Sequence, residues 1–193
     1  MNLLARIIGS LLCLLLLQSC VSTSISDYTD PSYADATFYS VAIWAKSDDL
    51  EWRQDLEKKM QQRVQSQTCA TAIRVIDVAP PTRGFSEAEI FQLLQGANVD
   101  AAIVLVFTDT GVRQSISSNG YGNVSTSDEP WGEATVEVVD VRSSMVAWTA
   151  STSTQGDDFT GWADIRRSTG NRIISQLLSI GMLPPVPEGE AEK

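Results

Sequence analysis

Seven apolar residues stand unbroken at Ala101-Ala102-Ile103-Val104-Leu105-Val106-Phe107. The run is short and β-branched at its centre, so it reads as a strand covered on both faces. A chain that owns such a strand needs a sheet with helices on either side of it, which restricts it to the mixed α/β classes. The flanking segments agree. Residues 38–45 and 72–78 are rich in strand formers. Asp48 and Glu51 have capping-box spacing ahead of a helix to about Gln67. In that helix Trp52, Leu56, Met60 and Val64 recur every four residues, against a charged face of Glu51, Arg53, Asp55, Lys58 and Lys59. Ser86 and Glu89 repeat the box before a short helix that carries Ile90, Phe91, Leu93 and Leu94 and stops at Gly96.

Residues 132–141 alternate polar with apolar, turn at 140–144 and return over 145–152, the pattern of a half-buried hairpin. A last helix starts near Thr160 and turns Trp162, Ile165, Thr169, Ile173, Leu177 and Ile180 inward. Gly181 ends it. Between the two strand groups, residues 108–130 are small, polar and glycine-rich around Tyr121. They read as a long mobile loop or hairpin tip, and with Tyr121 and Trp131 as a partner-binding edge. A membrane-barrel strand needs about nine to eleven residues with alternate apolar side chains, and this segment supplies too few. The expected fold is α/β (α+β): one mixed sheet of about five strands with about three helices. The expected order is β-α-β-α-β, a long loop, then β-β-α.

The front of the chain is different in kind. Residues 1–19 carry one charge, Arg6, and then an apolar run of about ten residues, half of the roughly 20 that span a bilayer. A basic residue, a short apolar core and small Ser19 are the parts of a removed secretory signal. Leu17-Gln18-Ser19-Cys20 resembles the lipobox of bacterial lipoproteins, with Gln18 a departure at the second position. The resemblance implies that Cys20 is acylated and becomes the first mature residue. Val21 follows where that family places Asp for inner-membrane retention. The implied address is therefore the outer membrane, facing the periplasm, with membrane contact through acyl chains on Cys20. Each buried methylene contributes about 0.8 kcal/mol, and one chain alone anchors only weakly. Lipoproteins of this kind carry two or three.

Residues 20–37 lack period and read as the lipidated cysteine followed by a flexible tether. The globular domain is expected over 38–183, with a disordered acidic tail at 184–193. Of three cysteines, Cys13 leaves with the leader and Cys20 takes the lipid, so Cys69 has no partner for an internal disulfide. It reads as a small buried residue near a helix end.

Composition excludes several chemistries. The formal net charge is −10, and losing Arg6 with the leader makes it one unit more negative. So acidic a surface repels phosphates, which argues against nucleic-acid binding. There is no histidine, hence no imidazole base, no Ser-His or Cys-His pair and no histidine metal ligand. No cysteine cluster fits zinc, and no phosphate-cradling glycine loop is present. Asp48-Asp49 read as helix-start charges and Asp157-Asp158 as a solvated loop, not as catalytic pairs. No catalytic residue, metal or cofactor is expected.

Three phrases carry a second resemblance: 100–106 (Asp-Ala-Ala-Ile-Val-Leu-Val), 138–148 (Val-Val-Asp-Val-Arg-Ser-Ser-Met-Val-Ala-Trp) and 179–184 with the helix before them. They resemble bacterial envelope lipoproteins whose domain is similar to the amino-terminal domain of TolB. That group includes the curli secretion channel subunit and lipoprotein activators of peptidoglycan synthases. The resemblance supports the fold better than a function; lipid address, domain and absent catalytic groups together lead to the expectation of a non-catalytic module that binds an envelope protein or glycan. The alternatives are an oligomeric part of a secretion or assembly machine, with homo-oligomers, and a carboxylate-dependent hydrolase.

Overall fold

The computed structural model describes residues 21–118 and 124–186. The leader 1–19, Cys20, Tyr121 and residues 187–193 lie outside the described residues. The strands are β1 (Ser22–Thr29), β2 (Ser40–Lys46), β3 (Thr71–Arg74), β4 (Ala101–Ser118), β5 (Val124–Asp140) and β6 (Val146–Gln155). The helices are α1 (Leu50–Gln67), a single turn α2 (Val75–Val78), α3 (Glu87–Gly96) and α4 (Trp162–Ser179). All six strands form one sheet in the order β1-β6-β5-β4-β2-β3. β2 runs parallel to β3 and β4; the other neighbours are antiparallel.

The expected mixed α/β sheet is present, with six strands and four helices in place of about five and three. The central run behaves as its composition requires. Ala101, Ile103 and Leu105 face one core with α1 and α4, while Ala102 and Val104 face another with α2 and α3. All five are buried. Close helix packing completes the first core, since a side chain on Gly170 of α4 would start 3.0 Å from Met60 Cγ of α1.

Four expected segments are redrawn, each for a local reason. Residues 21–36 are not a free tether: Ser22–Thr29 pairs along its whole length with β6. Thr23, Ile25 and Asp27 alternate toward α4, and the Asp27 carboxylate accepts from Trp148 Nε1 at 2.8 Å and Gln176 Nε2 at 3.2 Å. Asp30 then caps a short 3-10 turn over Pro31–Tyr33. Of the two readings of residues 108–130, the described residues take the hairpin: β4 and β5 pair from Ala101↔Asp140 to Ser118↔Val124, past a register shift between Phe107 and Asp109. The expected strand at 72–78 stops at Arg74, because Ile76 N turns to bond the Glu57 carboxylate at 2.9 Å. Residues 184 and 185 are not free, since Pro184 O accepts from Cys69 N at 2.9 Å and Pro185 bridges Thr68.

The caps are mixed. Ser86 and Glu89 form the expected reciprocal box. Asp49, not Asp48, caps α1 by accepting from Trp52 N at 3.0 Å. Gly161 stands at the N-cap of α4, while Thr160 is buried and donates to Asp157. Gly181 ends α4 at φ +80°, where a side chain would be strained. Cys69 is exposed, not buried, because it stands past the end of α1 in a turn.

Candidate interaction surface

Helices cover the sheet unevenly. One face carries α1 and α4, whereas α2 and α3 cover only the β2 and β4 side of the other. The rest of that second face, on β1, β6 and β5, is open. Strand alternation determines what it shows. Ser22, Ser24, Ser26 and Tyr28 of β1 pair with Gln155, Ser153, Ser151 and Thr149 of β6. These pair in turn with Trp131, Glu133, Thr135 and Glu137 of β5. The alternate positions Trp148, Ala150, Thr152 and Thr154 are buried on the helix side. The open face is thus a hydroxyl-rich platform with a shallow trough of about 370 Å³, walled by Ser24, Thr108, Glu133 and Ser153.

Trp131 closes one end of the platform. Gly111 stands opposite it, and a side chain there would start 2.8 Å from Trp131 Nε1. The missing Cβ is what lets the indole lie across β4. The Arg113 guanidinium sits 4.9 Å from the ring centroid, a cation–π contact. Glu129 accepts from Ser115 Oγ at 2.8 Å and from Gln155 Nε2 at 3.2 Å. Beyond Gly111 and Trp131 the two strands pair only with each other, over seven rungs from Val112↔Pro130 to Ser118↔Val124. This is a two-stranded arm. Trp131, named from sequence, stands at its root and half-buried. Tyr121, named with it, and Cys20 cannot be placed against it, since both lie outside the described residues.

The acidic residues in the resemblance motifs turn out to hold turns. Asp100 Oδ2 accepts from Tyr39 N at 3.2 Å and Ser40 N at 3.0 Å, fixing the start of β2. Asp140 Oδ1 accepts from Arg142 N at 2.8 Å and Ser143 N at 3.3 Å, and Oδ2 from Tyr33 Oη at 3.1 Å. Burial pushes Asp140 up, but those donors together hold it below its ordinary value. Asp100, Asp140 and Arg142 border a shallow hollow of about 270 Å³. Their bonds make it a closed seam of turns, with no carboxylate left in the geometry of an acid and base pair.

One functional-looking group was not visible in the sequence. Glu57 is fully buried. Its Oε1 accepts from Arg53 Nε at 2.9 Å and Ala45 N at 3.2 Å, and its Oε2 from Ile76 N. Burial pushes its pKa up, while the two backbone amides and Arg53 pull back only partly. It ties α1 to the end of β2 and the start of α2. Both of its oxygens are held by protein donors, which makes it a structural tie between these elements. Among the described residues no three His, Cys, Asp or Glu side chains are grouped to hold a metal, and no helix is long and apolar enough to cross a membrane.

No protein-family model matches the chain, and no curated protein matches it by sequence. Solved structures do. The PelC dodecamer from Paraburkholderia phytofirmans is 15% identical, over 81% of this chain and 97% of that one, with a TM-score of 0.52. A variant of the same dodecamer in another crystal form gives 15%, 80%, 98% and 0.51. Lipoprotein GNA1162 from Neisseria meningitidis is more remote: 14% identical over 72% of this chain and 98% of that one, TM-score 0.43. What this chain shares with PelC is its fold.

Proposed function

We propose that this protein is a lipid-anchored, non-catalytic module of the bacterial envelope, held by Cys20 at the outer membrane and facing the periplasm. It works by presenting the open face of its sheet to an envelope protein or glycan. The observation that carries the reading is the uneven cover of the sheet. Half of one face is left to solvent, dense in hydroxyls, with Trp131 at one end and Glu133 and Glu137 along it. Hydroxyls and amides of this kind suit a polar, hydrogen-bonding partner better than an apolar ligand. The lipobox-like Leu17–Cys20 stretch and the absent histidine support the address and the non-catalytic role.

Pull-down from intact envelopes tests it, using the full chain, the Cys20→Ala variant and a face variant, Ser151→Arg with Ser153→Arg. A partner recovered with the native chain and lost with the face variant supports the platform. No reproducible partner, or one kept by the face variant, removes it. The likeness to PelC favours a second reading, assembly into a homo-oligomer, because that protein is a dodecamer. Mass measurement in mild detergent decides: a multiple of the protomer supports assembly, and a monomer at every concentration rules it out.

A further inference from the structure

Ser22, Gln155, Trp131 and Gly111 lie side by side across β1, β6, β5 and β4. Three segments leave the sheet on the same side of that row. The chain runs back from Ser22 through Val21 to Cys20, at most about 7 Å of backbone. The arm runs out from Gly111 and Trp131. The 156–161 segment leaves Gln155, is tied to the arm by Gly156 N donating to Pro130 O at 2.9 Å, and leads into α4.

On its helix side this end exposes apolar side chains, with Gln114 and Asp128 paired between two of them. Val112 is 52% exposed, Ile116 73% and Phe159 81%. Val112 and Ile116 share the side of Thr110, whose partner Gly132 would, with a side chain, meet Phe107 and Ile165 of the core. Trp162 stands exposed where α4 begins.

We propose that this end of the domain rests on the lipid surface, with Val112, Ile116 and Phe159 in the interfacial layer of the leaflet that holds the Cys20 acyl chains. The inference rests on the acylation proposed above. With β1 starting two residues after Cys20, the bilayer is already at high effective concentration next to these side chains. Contact then costs little freedom, and an apolar surface of this kind settles about 5–10 Å into the headgroup boundary. Asp128, Glu129, Asp157 and Asp158 stand at the same end. They make the contact apolar in origin, not one that anionic lipid strengthens.

The test uses full-length protein extracted from membranes and placed in phosphatidylethanolamine and phosphatidylglycerol vesicles with lipids brominated high in the acyl chain. Phe159→Trp reports this end. Tyr39→Trp reports the opposite end, beside Asp100 and the 140–144 turn. The emission added by Phe159→Trp is expected to fall about twofold or more against bromine-free vesicles, with that of Tyr39→Trp unchanged. No quenching at position 159, or equal quenching at both ends, overturns the proposal. Intact mass of the same preparation reads Cys20 separately, so a bare thiol counts against the anchor while the quenching still decides the contact.

Discussion

Glu57 shows most sharply what one residue does here. A carboxylate with no exposure to water is costly unless donors surround it, and three do. Removing it strands Arg53, whose Nη2 already lacks a partner, and two buried amides. Glu57→Ala is expected to lower unfolding free energy by about 3–5 kcal/mol in urea titration. Burial holds the native pKa above the ordinary 4.5. A group raised in this way contributes stability that is complete below its unfolded value and lost as pH rises through the native one. Native protein is therefore expected to gain on a Glu57→Gln variant as pH falls from neutral toward 4.5, and to hold that gain below it. A stability difference independent of pH would contradict this. Nothing in the sequence marked Glu57, since Arg53 and Glu57 at i,i+4 look like any solvated pair on a charged helix face. Cys69 departs in the other direction, because it stands near a helix end and yet is exposed.

At the scale of elements, apolar strands and capped helices were legible and polar strands were not. The run at 101–107, the 86–89 box and the α4 stripe each follow from burial, and burial writes a period into sequence. β1 and the arm follow from pairing. At the start of β1 only Thr23 and Ile25, with Val21 just before it, β-branched at alternate positions, hint at a strand, and the serines between them mask it. Neither side of the arm packs on the core, so its cross-strand bonds, such as Ser115 with Ser127 and Glu129, need no apolar alternation. An unstructured loop as long as 108–130 was itself a warning, since such loops are uncommon in compact domains. Trp131 was found because aromatics are conspicuous, but the platform beside it is made of serines that carry no sequence signal. Two outcomes follow for β1. Its paired amides are expected to resist hydrogen exchange, where a tether would exchange at once. Asp27→Ala, which leaves the Trp148 indole N–H without its acceptor, is expected to cost about 1–3 kcal/mol in the same urea titration.

The whole molecule is an acidic domain whose ordered edge strand begins two residues after Cys20, the proposed anchor. Under the anchoring proposed above, a long tether would let the domain roam, whereas β1 removes that slack and would make orientation on the membrane a property of the fold. In the proposed arrangement the open platform stands along the membrane normal, since the strands that carry it run toward the Cys20 end. The shared fold with PelC is compatible with this arrangement but does not assign a partner, because one fold serves many functions. Everything at this scale depends on Cys20. Intact-mass spectrometry of the chain extracted from its own membranes is the direct measurement. The account predicts a protein that begins at Cys20 and carries two or three acyl chains on it. A product that begins elsewhere, or that carries Cys20 unmodified, contradicts it.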